Sequence, residues 1–337
     1  MSGQRKIMLL GASLVITLPK PWVSANKLEK GEIVSVKIQK DQTLLISPAP
    51  GFDEGKRELH LLVEPDESKS SIERDIIAGF LDGYTTIRLT SKSFFSIDHQ
   101  NAIREIASKL YMMIVESEAG HVVLETLLDE SKMSVSTSIE RMHVITYSMC
   151  RDVLSSLKEP NIELIKTVLS LENDVDRLMF LTLRLIRLAV IRPALAGQMG
   201  LDIIDCLDIQ TLVHRIERIA DHVAIIAKSL IELKETGTEI PEEVLETLVE
   251  VAGVAFSSYD RSVMSFILRD VSDTNKIINN EREIEDLYMK ITPLQHSGDL
   301  SDFSSISNIV LIRESIRKIS HYAADIAELT INRTYNT

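Results

Sequence analysis

From Ser134 to near its end, this 337-residue chain is written in helical period, and that helical text occurs twice. Breaks at Glu159-Pro160, Ile191–Gly200, Thr236–Pro241, Arg269–Asp273 and Pro293–Asp302 leave six helices. The six divide into two triplets that slide onto each other. Arg151 aligns with Arg261, Leu154 with Met264 and Leu178 with Leu287. In the third helices Ile216 aligns with Ile316, Ile219 with Ile319, Ala224 with Ala324 and Ala227 with Ala327. Triplets of helices with one apolar face each have few ways to bury those faces. The expected solution is two tandem antiparallel three-helix bundles, over residues 134–236 and 239–335.

Two carboxylate pairs sit badly with that packing. Glu172/Asp176 on the second helix and Glu217/Asp221 on the third are each spaced by four, so each pair shares a helix face. Glu172 and Asp176 also interrupt an apolar stripe of Ile165, Val168, Leu169, Val175, Met179 and Leu183. Unpaired buried charges cost several kcal/mol each. A metal, a set of basic partners or a bend toward water must therefore meet them. Four acids converging from adjacent helices suit a divalent or trivalent metal ion, and oxygen donors accept Mg, Mn, Fe or Zn without choosing among them. The competing reading is a pair of solvated acidic faces with Arg177, Arg215 and Arg218 as local partners. His222 follows Asp221 but lies about 100° round the helix, leaving its part as ligand or supporting group open. In the second repeat, Glu281/Glu285 stand where the first has Glu172/Asp176, and Arg317/His321 where it has Glu217/Asp221. A salt-bridge network is the expectation there, with Arg317 holding Glu281 or Glu285 and His321 a residual ligand.

The net charge of −13 is unevenly spread. Residues 1–50 hold seven Lys/Arg against three Asp/Glu, a small basic module ahead of a large acidic body. Within it Lys6–Leu10 and Ser13–Leu18 read as strands flanking a Gly11-Ala12 corner, Pro19-Lys-Pro-Trp22 starts a short helix, and Glu32–Gln39 and Thr43–Ser47 form a second strand pair about Lys40-Asp41. The strand alternation and the Gly11-Ala12 turn argue against reading Ile7–Leu18 as a secretory leader. So few residues in short strands bury little core alone, which predicts a homodimer. A linker from Pro48 to Lys56 leads to a small α/β domain at 57–130, with strands at Leu59–Val63, Tyr84–Leu89, Tyr111–Glu116 and Val122–Leu128 and helices at Ile72–Leu81 and Gln100–Lys109. Cys150 and Cys206 follow no paired spacing and suit a reducing cytoplasm. Arg184, Arg187 and Arg192 read as the basic end of a long helix, complementing its dipole, and exclude a membrane span over Leu178–Leu195. No phosphate-binding loop, nucleophile elbow or dinucleotide fingerprint is present, so nothing in the sequence supports an enzyme.

Two resemblances follow from these residues. Arg5-Lys6, the run Gly11–Lys20, Trp22 and Leu28-x-x-Gly31-x-x-Val34 resemble the AbrB/SpoVT family of swapped-hairpin DNA-binding dimers. That likeness implies that Arg5, Lys6, Lys20 and Lys27 face DNA phosphates. Glu172-Asn-Asp-Val-Asp176 and Arg215-Ile-Glu-Arg-Ile-Ala-Asp-His222, followed by Ile225-Ile-Ala227, resemble the PhoU family of phosphate-uptake regulators. The tail Ile326-Ala-Glu328 is kept in the second repeat, whereas Arg317 and His321 depart from its acidic motif. This second resemblance implies two metal-binding three-helix bundles and partnership with a phosphate-transport system, typically its ATPase subunit. Together the two resemble the archaeal-type fusion. The function so implied is a cytoplasmic regulator of phosphate homeostasis. The alternatives are a metal-responsive transcription regulator unrelated to phosphate and, less in keeping with a surface-lying, His-poor acidic set, a carboxylate-bridged metalloenzyme.

Overall fold

The computed structural model describes residues 4–38, 42–48, 57–290 and 303–335. The expected turn at Lys40-Asp41, most of the linker and the break at Pro293–Asp302 lie outside them. The chain divides into two compact units, Met1–Gly55 and Lys56–Thr337.

The first unit holds two separate hairpins. β1 (Met8–Leu10) and β2 (Ser13–Val15) pair antiparallel, with Met8 opposite Val15. Gly11 takes the left-handed φ of 62° that the tight corner requires. β2 is shorter than the sequence pattern, since β1 pairs only as far as Val15 and Ile16–Leu18 meet no strand among the described residues. α1 (Lys20–Ala25) carries proline in its first turn. β3 (Val34–Ile38) and β4 (Leu44–Pro48) form the second hairpin. None of the unit's described residues is buried, and Leu9, Leu14 and Ile33 are 73%, 74% and 77% exposed.

The second unit begins with a four-stranded sheet of β5 (Glu58–Leu62), β6 (Thr86–Thr90), β7 (Met112–Glu118) and β8 (His121–Thr126), in the order β5-β6-β8-β7. Only β5 and β6 run parallel, joined through α2 (Lys69–Leu81); α3 (Ile97–Lys109) links β6 to β7. Ser68 and Ser96 cap the two helices, and Ile72, Ile76, Phe80, Ile103 and Ile106 pack with Ile87, Leu89 and Leu124 of the sheet.

A short 3₁₀ turn, Glu130–Lys132, leads into the helical body. α4 (Val135–Lys158), α5 (Ile162–Ile191) and α7 (Ile203–Glu235) form the first triplet; α8 (Glu242–Leu268), α9 (Thr274–Lys290) and α10 (Phe303–Tyr335) form the second. The break between α5 and α7 contains the extra helix α6 (Pro193–Met199), stopped by Gly200 at φ 68°. Ser134 and Asn161 cap α4 and α5, and Asp202 and Asp205 form a reciprocal capping box on α7. The repeat register reappears as burial: Ile216 and Ile316, Ile219 and Ile319, Ala224 and Ala324, and Ala227 and Ala327 are all within the core. α4 packs on α8 and α7 on α10, so the two bundles share one continuous apolar core.

Arg184 and Arg187 correct the helix-dipole expectation. Arg184 is fully buried within α5; it donates to the carbonyls of Phe80 and Tyr84, sits over the Phe80 ring and pairs with Glu130 at 2.7 Å. Arg187 pairs with Asp82. These side chains tie α5 to the end of α2. Leu81, Leu128 and Phe180 pack against both the sheet's core and the helical core at the same seam.

Candidate metal centre

Adjacent packing of α5 and α7 brings Glu172, Asp176 and Asp221 together, with one carboxylate oxygen from each lying within 4.8 Å of the others. Val168, Val175 and Ile219, interleaved with the acids along the two helices, are fully buried and fix the faces of both. Asp176 is consequently drawn to 9% exposure, with Glu172 and Asp221 half-buried beside it. Glu217, one turn before Asp221 on the same face of α7, lies beside the group of three without joining it.

The electrostatics are those of a site short of positive charge. Burial, and then the neighbouring Asp221, push the Glu217 carboxyl up to about 7. Burial and Asp176 raise both Glu172 and Asp221 above the usual carboxylate range. Three carboxylate oxygens within 4.8 Å of one another are close enough to converge on one ion, and oxygen donors suit hard cations. The donor chemistry therefore fits a hard metal ion.

Local arginines satisfy only part of the set. Arg218 reaches Asp221 at 3.3 Å and Glu217 at 3.6 Å from a solvated position. Arg177 turns to Asp174, and Arg215 crosses to Asp325 of α10. His222 faces away, its Nδ1 3.3 Å from the Ser315 hydroxyl and its ring against Tyr322. One partner gives no signal in the sequence. Lys109, the last residue of α3, pairs its ammonium with Asp176 and lies 6.0 Å from the centroid of the Phe180 ring. A basic residue in a last helical turn reads as dipole compensation, and nothing local reveals that α3 ends against α5.

In the second bundle, the acids are met from within. His321 pairs with Glu281, and Arg317 contacts Glu314 at 3.0 Å, Glu285 at 3.8 Å and His321 at 3.4 Å. In the first unit, Arg5, Lys6, Lys20 and Lys27 are all exposed; Lys20 opens α1, and Lys27 follows it at φ 50°.

Among the described residues, no helix is long and apolar enough to cross a membrane. No curated protein sequence matches the chain. Residues 7–53 match the family described as antidote-toxin recognition MazE, bacterial antitoxin, an AbrB-like domain. Among solved structures, the phosphate transport system regulatory protein PhoU from Streptococcus pneumoniae is similar at 16% identity and a TM-score of 0.50, over 60% of this chain and 94% of that one. PhoU from Pseudomonas aeruginosa is similar at 18% identity and a TM-score of 0.49, over 60% and 96%. The PhoU domain matches twice, at residues 139–230 and 248–330, together more than half of the chain and one match per helical triplet. The chain belongs to the PhoU domain family, with two repeats of that domain behind a MazE/AbrB-like head.

Proposed function

We propose that this chain regulates phosphate uptake and intracellular phosphate homeostasis. In this reading the first bundle carries a carboxylate metal site formed by Glu172, Asp176 and Asp221 with Glu217 at its edge, and the head dimerises and touches DNA through Arg5, Lys6, Lys20 and Lys27. The partner is a phosphate-transport system, with its ATPase subunit as the contact. The observation that carries the reading is the pair of PhoU-domain repeats, supported by the three carboxylates that the first of them gathers. The second repeat, with Arg317 and His321 against its acids, holds a salt-bridge network in the metal's place.

Two measurements test it together. Labelled-phosphate uptake in cells lacking the chain should escape repression at high external phosphate, and the wild-type chain should restore it. Elemental analysis of protein purified without chelator should find bound metal that a Glu172→Ala/Asp221→Ala double variant lacks. Normal uptake control in the deleted cells would sink the phosphate role. If DNA binding were then found to depend on metal, the metal-responsive transcription regulator, favoured by the exposed basic residues of the head, would take its place.

A further inference from the structure

The two bundles solve the same electrostatic problem differently. In the second, every cation described against Glu281 and Glu285 comes from α10, the neighbouring helix of that bundle. In the first, the most buried acid of the set, Asp176, is met by a cation from another domain: Lys109 at the end of α3. Its side chain is 30% exposed and that of Asp176 12%, so the pair lies at the mouth of the acidic cluster. Lys109 is placed there by construction. The next residue, Leu110, is fully buried in the α/β core, and Tyr111 turns the chain at φ 54° into β7. The charge is felt beyond Asp176, since Lys109 also counters the upward shifts of Glu172 and Asp221.

The α3–α5 seam is otherwise thin. Ser108 accepts a 3.4 Å hydrogen bond from Arg177, and Lys109 lies over Phe180. The strong anchors of the α/β domain, Arg184 and Arg187, act at the far end of α2. An ammonium paired with Asp176 and a metal ion ligated by Asp176 are alternatives, because two cations on one carboxylate repel each other at that range.

We propose that Lys109 is a tethered competitor for the cation site of the first bundle, so that metal binding at Glu172, Asp176 and Asp221 displaces it and releases the end of α3 from α5. The α/β domain thereby reports the metal load of the bundle. This rests on the metal site proposed above. The competing ammonium lowers the apparent affinity by the fraction of molecules in which the site is free.

The test uses the full chain, stripped of metal, with Mn²⁺ as the probe. Lys109→Met should bind Mn²⁺ about tenfold more tightly than wild type, the effect of a site that is free about one-tenth of the time. Lys109→Arg, which keeps the charge, should stay near the wild-type affinity. In the wild-type chain, Mn²⁺ should speed amide hydrogen exchange over residues 104–112 while leaving α2, held by Arg184, unchanged. Equal or weaker binding by Lys109→Met, with both proteins binding, would overturn the competition and leave the metal site standing. Unchanged or slowed exchange at 104–112 in metal-loaded wild type would overturn it without recourse to any variant. No Mn²⁺ bound by either protein would sink the metal site, and this inference with it.

Discussion

His143 shows how one buried side chain couples folding to acid. It is buried on α4 at the face packed against α8, its Nε2 3.0 Å from an Asp260 carboxylate oxygen and its ring between Tyr147 and Tyr259. Nδ1 is buried without a hydrogen-bond partner. The neutral ring with its proton on Nε2 satisfies Asp260, whereas a second proton would point into a dry interior. Burial lowers the histidine below its ordinary value, and Asp260 opposes this only in part. The other titratable groups facing it are Tyr259, Tyr147 and Cys150, all raised by burial and so neutral in this range, with Arg151 over the outer face of Tyr147. A folded-state value below 6.5 means that the unfolded chain binds the proton first as pH falls. The stability that His143 contributes is thus complete above about 6.5 and declines below it, by up to about 1.4 kcal/mol per pH unit for one proton, until the folded-state value is passed. Urea unfolding of His143→Gln, which keeps a donor for Asp260 but cannot titrate, should show a flatter slope between pH 7 and pH 5. Parallel slopes for the two proteins would exclude His143 as the acid-sensitive group.

At the scale of the helix and the strand, what is legible in the sequence depends on how far away the cause lies. Pro160, Pro193, Gly200 and Pro241 act locally, and the helix ends fall at or beside them. The carboxylate spacing is equally plain, as both pairs lie on faces that the apolar pattern fixes. Lys109 gives no sign because its partner Asp176 is 67 residues away, on a helix of a different domain. Arg184 deceives for a related reason: inside an apolar helix it looks like an end, whereas Glu130 and two carbonyls wait for it in the folded chain. Its buried position makes a prediction about α5 as an element that holds the α/β domain. Arg184→Met leaves the partly buried Glu130 without its cation, and the Phe80 and Tyr84 carbonyls without their donor. The expected loss is about 3–5 kcal/mol, read by urea unfolding. Arg184→Lys should recover little, since an ammonium cannot span the carboxylate and both carbonyls as the guanidinium does. Adding Glu130→Gln to Arg184→Met should restore part of the loss by removing the stranded charge. A loss within about 1 kcal/mol, the range of exposed ion pairs, would mean that the apolar contacts of Leu81, Leu128 and Phe180 hold the seam without the arginine.

Across the whole molecule, charge and burial are divided by domain. The head carries seven basic against three acidic residues, yet the chain as a whole is −13, so the remainder holds −17. The head also buries none of its described residues, leaving Leu9, Leu14, Ile33 and Ile38 each at least 67% exposed. On the proposed reading, a second copy covers these exposed apolar strands, and two copies double the basic surface offered to DNA. The two consequences can be measured in one experiment. Light scattering on the full chain should give a dimer, and Leu14→Asp should weaken it by burying a charge in the new interface. Every lysine or arginine withdrawn from a phosphate reduces the slope of log affinity against log salt by about 0.9. In the dimer, Lys6→Gln withdraws one cation from each head, so the slope should fall by about 1.8, and Arg5→Gln, Lys20→Gln and Lys27→Gln should behave alike. A fall of about 0.9 would mean that only one head reaches the duplex at a time. Glu172→Ala, which removes no cation, should leave the slope where it was. Slopes unchanged by all four basic substitutions would reduce the head to a dimerisation module and move the DNA contact elsewhere on the chain.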